Sequence, residues 1–189
     1  IVLQSKPLPS PSQTLIAEAI SKAIENEGES LLNFDDEVIQ LQNRIMSLQK
    51  WNTDESWPDM GMAALLENNR EWLGAFINQV KRPDDLKKID LSQALLQYLG
   101  WEKQQELEKL APAKIEVPSG SKIRIEYFAN GATSVLAVRL QEVFGLADTP
   151  KINNGKTALV LHLLSPGYKP VQVTSDLKSF WSNAYFETK

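Results

Sequence analysis

The chain has 189 residues, a formal net charge of −4, 42% hydrophobic and 23% charged residues, which suits one or two globular domains with a real core. It has no cysteine, so disulfides and thiolate metal sites are excluded and a reducing cytoplasm is the expected compartment. No apolar run approaches the ~18 residues of a membrane span and no signal peptide is visible, so no membrane partner is expected. The charge is unevenly placed. Residues 1–112 carry 11 Lys and Arg against 18 Asp and Glu, whereas residues 113–189 carry 9 against 6. An anionic partner would therefore meet the second half.

The first residues, IVLQSKPL, lack an initiating methionine, and the chain is expected to be a fragment of a longer protein. Ile1–Leu8 reads as a strand remnant closed by Pro7, Pro9 and Pro11. Ser10, Pro11 and Gln13 then have helix-start chemistry. Leu15, Ile16, Ala19, Ile20, Ala23 and Ile24 follow at helical spacing, with Gly28 as the stop. Phe34, Val38, Leu41, Ile45 and Leu48 form the stripe of a second helix, with Gln40 and Arg44 off it. Shorter helical patterns surround Leu65, Trp72 to Val80 and Leu91 to Leu99, the last with a capping pattern at Asp90. Trp101–Leu110 closes the helical region, which ends at Pro112.

Beyond Pro112 the period changes from 3.6 to 2. Ile123 and Ile125 alternate with Lys122, Arg124 and Glu126. Similar runs cover Leu136–Leu140, Leu159–Leu164 and Val171–Thr174. Turn signals lie between them at Pro118-Ser119-Gly120, Asn130-Gly131, Asn153-Asn154-Gly155 and Ser165-Pro166-Gly167. The expected class is α+β: a bundle-like helical region over 1–112, then a small antiparallel sheet of four or five strands over 113–189. A helix from Asp176 to Phe186 closes it.

No catalytic constellation emerges. Asn154-Gly155-Lys156-Thr157 resembles the end of a phosphate-binding loop, but the required earlier glycine is Pro150, and a strand follows where a helix is needed. It reads as a hairpin turn. His162 is the only histidine and sits in an apolar strand, so neither a metal site nor a Ser-His-Asp triad can be built around it. Asp35, Asp36 and Glu37 suit a helix start and need no acid–base role. The five tryptophans are read as core or interface packing residues. What remains is a basic set: Lys114, Lys122, Arg124, Arg139, Lys151, Lys156 and Lys169, with Tyr127 beside it. Such residues neutralise phosphates, and an aromatic ring can stack on a base. An ordinary solvated face is the competing explanation.

VPSGSKIRIEY, LAVRLQEVFGL, Thr149-Pro150, and LHLLSP followed by PVQVTSDLKSFW resemble the C-terminal region of bacterial HrpB-type ATP-dependent helicases, of the DEAH-box group in superfamily 2. VLQSKPLP, Trp57-Pro58-Asp59, LLENNREWL and LKKIDLSQAL resemble the helical connector before that tail. The resemblance implies two motor domains upstream that act on RNA and hold ATP and magnesium, and analogy with other helicases of this group makes an oligonucleotide-binding-type barrel one topology open to the sheet. No cofactor and no catalysis are expected in the chain itself. The family continues with a basic tail past Phe180-Trp181, and this chain stops at Lys189. The expected role is guidance of a single strand of RNA or DNA, with Lys122, Arg124 and Arg139 on phosphates and Tyr127 offered for stacking, although strand alternation puts that ring with Ile123 and Ile125 on the core side. A protein-docking module without nucleic-acid contact is the alternative.

Overall fold

The computed structural model describes residues 12–129 and 131–184. The expected strand at Ile1–Leu8, the cap at Ser10, and Tyr185 and Phe186 of the closing helix lie outside them. In chain order the elements are α1 (Gln13–Leu31), α2 (Asp36–Trp51), α3 (Met62–Glu67), α4 (Asn69–Ile77), a 3-10 turn (Pro83–Lys88), α5 (Leu91–Leu99) and α6 (Trp101–Leu110). Then come β1 (Lys114–Glu116), β2 (Lys122–Glu126), β3 (Val135–Arg139), a 3-10 turn (Leu140–Val143), β4 (Lys151–Ile152), β5 (Thr157–Ala158), β6 (Val160–Leu164) and β7 (Pro170–Thr174). α7 (Leu177–Ser179) runs on into a π-helical turn, Phe180–Ala184. Among the described residues no helix is long and apolar enough to cross a membrane.

Two compact units divide the described residues, one holding 12–34 with Met62–Tyr98, the other Asp35–Gly61 with the described residues from Leu99 onward. The division follows packing rather than chain order, since α2 is grouped with the strands.

In the first unit Ser12 caps α1, its hydroxyl accepting from the Leu15 N–H at 3.3 Å. α1 does not stop at Gly28. The helix continues to Leu31, and Gly28 is buried where α3 comes close: a Cβ there would sit 2.0 Å from Leu66 Cδ2. That glycine is kept for close approach, which a helix-stop reading misses. Ile24, Leu65, Leu73, Leu91 and Leu95 are buried in this unit. Asn69 Nδ2 donates to the Ser21 carbonyl at 3.1 Å, and the Ser21 hydroxyl donates to Asn69 Oδ1 at 2.7 Å, so the buried polar pair is satisfied. Asp90 caps α5 as its pattern predicts, accepting from the Gln93 N–H at 2.9 Å.

In the second unit the five-stranded sheet has the order β1-β2-β3-β6-β7. The expected all-antiparallel arrangement is corrected here, because β3 and β6 pair in parallel from Val135–Val160 to Arg139–Leu164. The sheet is therefore mixed. A parallel neighbour needs a crossover of a dozen or more residues; here the Leu140–Val143 turn and the β4–β5 hairpin occupy it. The sheet is open rather than a closed barrel, with β1 and β7 at its ends. Its inner face buries Ile125, Leu136, Val138, Leu161 and Leu163. Leu177 and Phe180 of the closing helical segment are buried as predicted. Trp57 and Trp72 are buried, whereas Trp101 is 72% exposed at the start of α6.

α2 explains how the chain leaves β2. After Glu126 the ladder ends, and side chains of α2 take up the backbone groups of the following segment. Gln40 accepts the Tyr127 N–H at 2.9 Å and donates to the Tyr127 carbonyl at 3.2 Å. Asn43 donates to the same carbonyl at 2.9 Å, and the Trp51 indole N–H donates to the Gly131 carbonyl at 3.3 Å. Backbone groups without a ladder still need partners when buried, and a polar helix face supplies them.

Candidate nucleic-acid interface

Strand alternation puts Lys122, Arg124 and Glu126 on the outer face of β2 and Ile123 and Ile125 on the inner one. The β1–β2 register sets Lys114 opposite Arg124 and Glu116 opposite Lys122. Lys114, Lys122 and Arg124 are therefore brought together on one exposed face. They are interleaved with carboxylates. Arg124 Nη2 lies 2.6 Å from Asp36 Oδ2, at the start of α2, and Glu116 and Glu126 share the strand face. Beside them runs an open groove of about 500 Å3, walled by Asp36, Gln40, Arg124, Val135 and Ala137 among others. Lys114 and Lys122 are both exposed there.

The other residues of the basic set are scattered. Lys151 and Lys156 belong to the separate β4–β5 hairpin. Its turn, Asn153-Asn154-Gly155, has three successive positive φ angles of 54°, 53° and 80°. The phosphate-loop look-alike thus closes a hairpin, and its backbone N–H groups head no helix, so these residues do not fit a nucleoside triphosphate. Lys169 is exposed in the β6–β7 turn. His162 lies half-buried on the outer face, opposite Ala137 and Val173.

Arg139 is occupied. Its Nη2 and Nε reach the Glu142 carboxylate at 3.1 and 3.4 Å. Glu142 is 7% exposed. The Arg139 guanidinium holds its carboxyl below the usual range against the opposing effect of burial, helped by the Ser121 hydroxyl. The guanidinium also lies 5.4 Å from the centroid of the Tyr168 ring. Tyr168 was not among the residues singled out from the sequence. The only signal was an aromatic following Pro166-Gly167, which reads as an ordinary turn.

Tyr127 requires a correction. It is 0% exposed, its hydroxyl donates to the Pro112 carbonyl at 2.7 Å, and its ring centroid is 6.4 Å from that of Trp51. Burial pushes the phenol well above its usual pKa. A ring enclosed in this way is not available to stack on a base.

Among the described residues, the second unit is a mixed open sheet braced by the polar face of α2. The chain belongs to the family of ATP-dependent helicase C-terminal regions, whose model matches residues 72–189. It is 38% identical over its whole length to the ATP-dependent RNA helicase HrpB of Escherichia coli strain K12, of which it covers 23%. It superposes on the crystal structure of the E. coli DExH-box NTPase HrpB with a TM-score of 0.90 at 39% identity, covering 98% of this chain and 23% of that one. A second crystal structure, of the E. coli DEAH/RHA helicase HrpB, gives a TM-score of 0.85 at 38% identity over the same shares. The chain thus spans about a quarter of the length of these relatives.

Proposed function

We propose that this region steers a single nucleic-acid strand for an ATP-dependent helicase, with ATP, magnesium and hydrolysis left to motor domains upstream in the same chain. The observation that carries this reading is the outer face of β1 and β2, where Lys114 and Lys122 are exposed beside an open groove. An extended strand needs such a face and no enclosed pocket. Each phosphate neutralised releases counterions, so affinity falls with salt at a slope of about −0.7 per contact on single strands. Two contacts imply a loss of roughly 7-fold between 50 and 200 mM salt.

Fluorescence anisotropy of the 189-residue chain with labelled single-stranded RNA tests this. Weak binding that falls steeply with salt, and that Lys114→Ala with Lys122→Ala abolishes, is the expected result. The second reading is a docking module for protein. It is favoured by the carboxylates of Asp36, Glu116 and Glu126 among the cations, which leave that face close to neutral. Absence of RNA binding at low salt would decide for docking.

A further inference from the structure

Tyr168 is the one large aromatic that the β6–β7 turn holds up to solvent. Its residue is 67% exposed. Its φ is 60°, in the left-handed region that bulky side chains rarely adopt. The turn fixes that conformation: the Tyr168 N–H donates to the Ser165 carbonyl at 2.9 Å, and the Lys169 N–H donates to Ser165 Oγ at 3.2 Å. Beneath the ring is Arg139, whose guanidinium is 5.4 Å from the ring centroid. Arg139 is fixed in turn by a buried carboxylate, Glu142, at 3.1 Å. The ring thus has on one side a cation paired with Glu142, while most of its surface meets water.

We propose that Tyr168 is a stacking platform for an unpaired base of a single-stranded nucleic acid, with the exposed Lys169 placed to meet an adjoining phosphate; this rests on the strand-steering reading above. In this arrangement Arg139 is a positioning residue. Its charge is already matched by Glu142, so it supports the ring and does not grip phosphate as the sequence suggested. A held ring loses little freedom when a base lands on it, which favours stacking. A base inside a duplex cannot present its face, so the platform selects single strands. Every base has a π-face, so it does so with little sequence preference.

The test compares binding of the 189-residue chain to a short oligouridine and to an abasic oligomer of the same length and charge. The wild-type chain is expected to bind the base-bearing oligomer at least ~5-fold more tightly, the low end of what one stacked base contributes. Tyr168→Ala should lose that preference and leave abasic binding unchanged, while Tyr168→Phe should retain it, because the stack needs the ring and not the hydroxyl. Equal, salt-sensitive binding of both oligomers by the wild type would overturn the platform and leave the phosphate reading standing. A loss in Tyr168→Ala that is the same on both oligomers would also overturn it. Binding of neither oligomer by the wild type would overturn both readings together. The wild-type comparison needs no variant, so the proposal stays open to refutation even if Tyr168→Ala folds poorly.

Discussion

Tyr127→Ala is expected to cost the sheet-bearing unit about 4 kcal/mol, the middle of the range for deleting a buried aromatic. The ring is fully enclosed, so its removal leaves a cavity beside Trp51. The hydroxyl bond to the Pro112 carbonyl at 2.7 Å is lost with it. That bond ties the segment after β2 to the chain just before β1, so the alanine variant loosens the open end of the β1–β2 pair, away from its turn. Tyr127→Phe keeps the ring and loses only the hydroxyl bond, and about 1 kcal/mol is expected for it. Urea denaturation followed by tryptophan fluorescence reads both. Similar costs for the two variants would mean that the hydroxyl, and not the ring, holds this junction. Since a domain has only about 5–15 kcal/mol in total, the alanine variant should approach the limit of folding.

Arg44→Ala is expected to cost about 2–3 kcal/mol, as for a lost charge-assisted hydrogen bond at a buried site. Arg44 Nε donates to the Ala111 carbonyl at 2.7 Å, and Nη2 lies 2.6 Å from Glu108 Oε1. The two bonds are unequal. The Glu108 side chain is 59% exposed and returns to water if Arg44 is removed, whereas Ala111 is fully buried and its carbonyl loses that donor. Glu108→Ala should cost less, about 1 kcal/mol, because the buried Arg44 guanidinium loses its exposed partner but keeps its bond to the Ala111 carbonyl. If Glu108→Ala cost as much as Arg44→Ala in the same denaturation experiment, the ion pair and not the carbonyl would be the anchor.

These two residues also mark where the sequence was legible. Apolar stripes such as Val38, Leu41, Ile45 and Leu48 repeat at helical spacing, and all four are buried in α2. The polar side of the same helix was not legible. Gln40 and Arg44 fall off the stripe and look solvated, yet their partners are the backbone of Tyr127 and Ala111, far away in sequence. Strand alternation correctly separated Lys122 and Arg124 from Ile123 and Ile125, because period 2 is a local property. It is blind to strand direction, which is why the parallel β3–β6 pair was missed. For the candidate interface, positions were readable but pairing was only half so. Glu142 stands three residues from Arg139 and could have been suspected, whereas Asp36 and Arg124 meet only through the fold. Tyr168 could not be distinguished from any turn aromatic until the register brought Arg139 beside Leu164, at the end of β6 from which that turn departs.

The most direct test of strand steering is to find where a strand lies. Single-stranded RNA carrying 4-thiouridine would be photocrosslinked to the 189-residue chain at low salt and the attached peptides mapped. Attachment to peptides bearing Lys114 to Glu126 and to the turn around Tyr168 and Lys169 is predicted. Attachment confined to the helical unit of α1, α3, α4 and α5, or none at all, would contradict strand steering by the sheet.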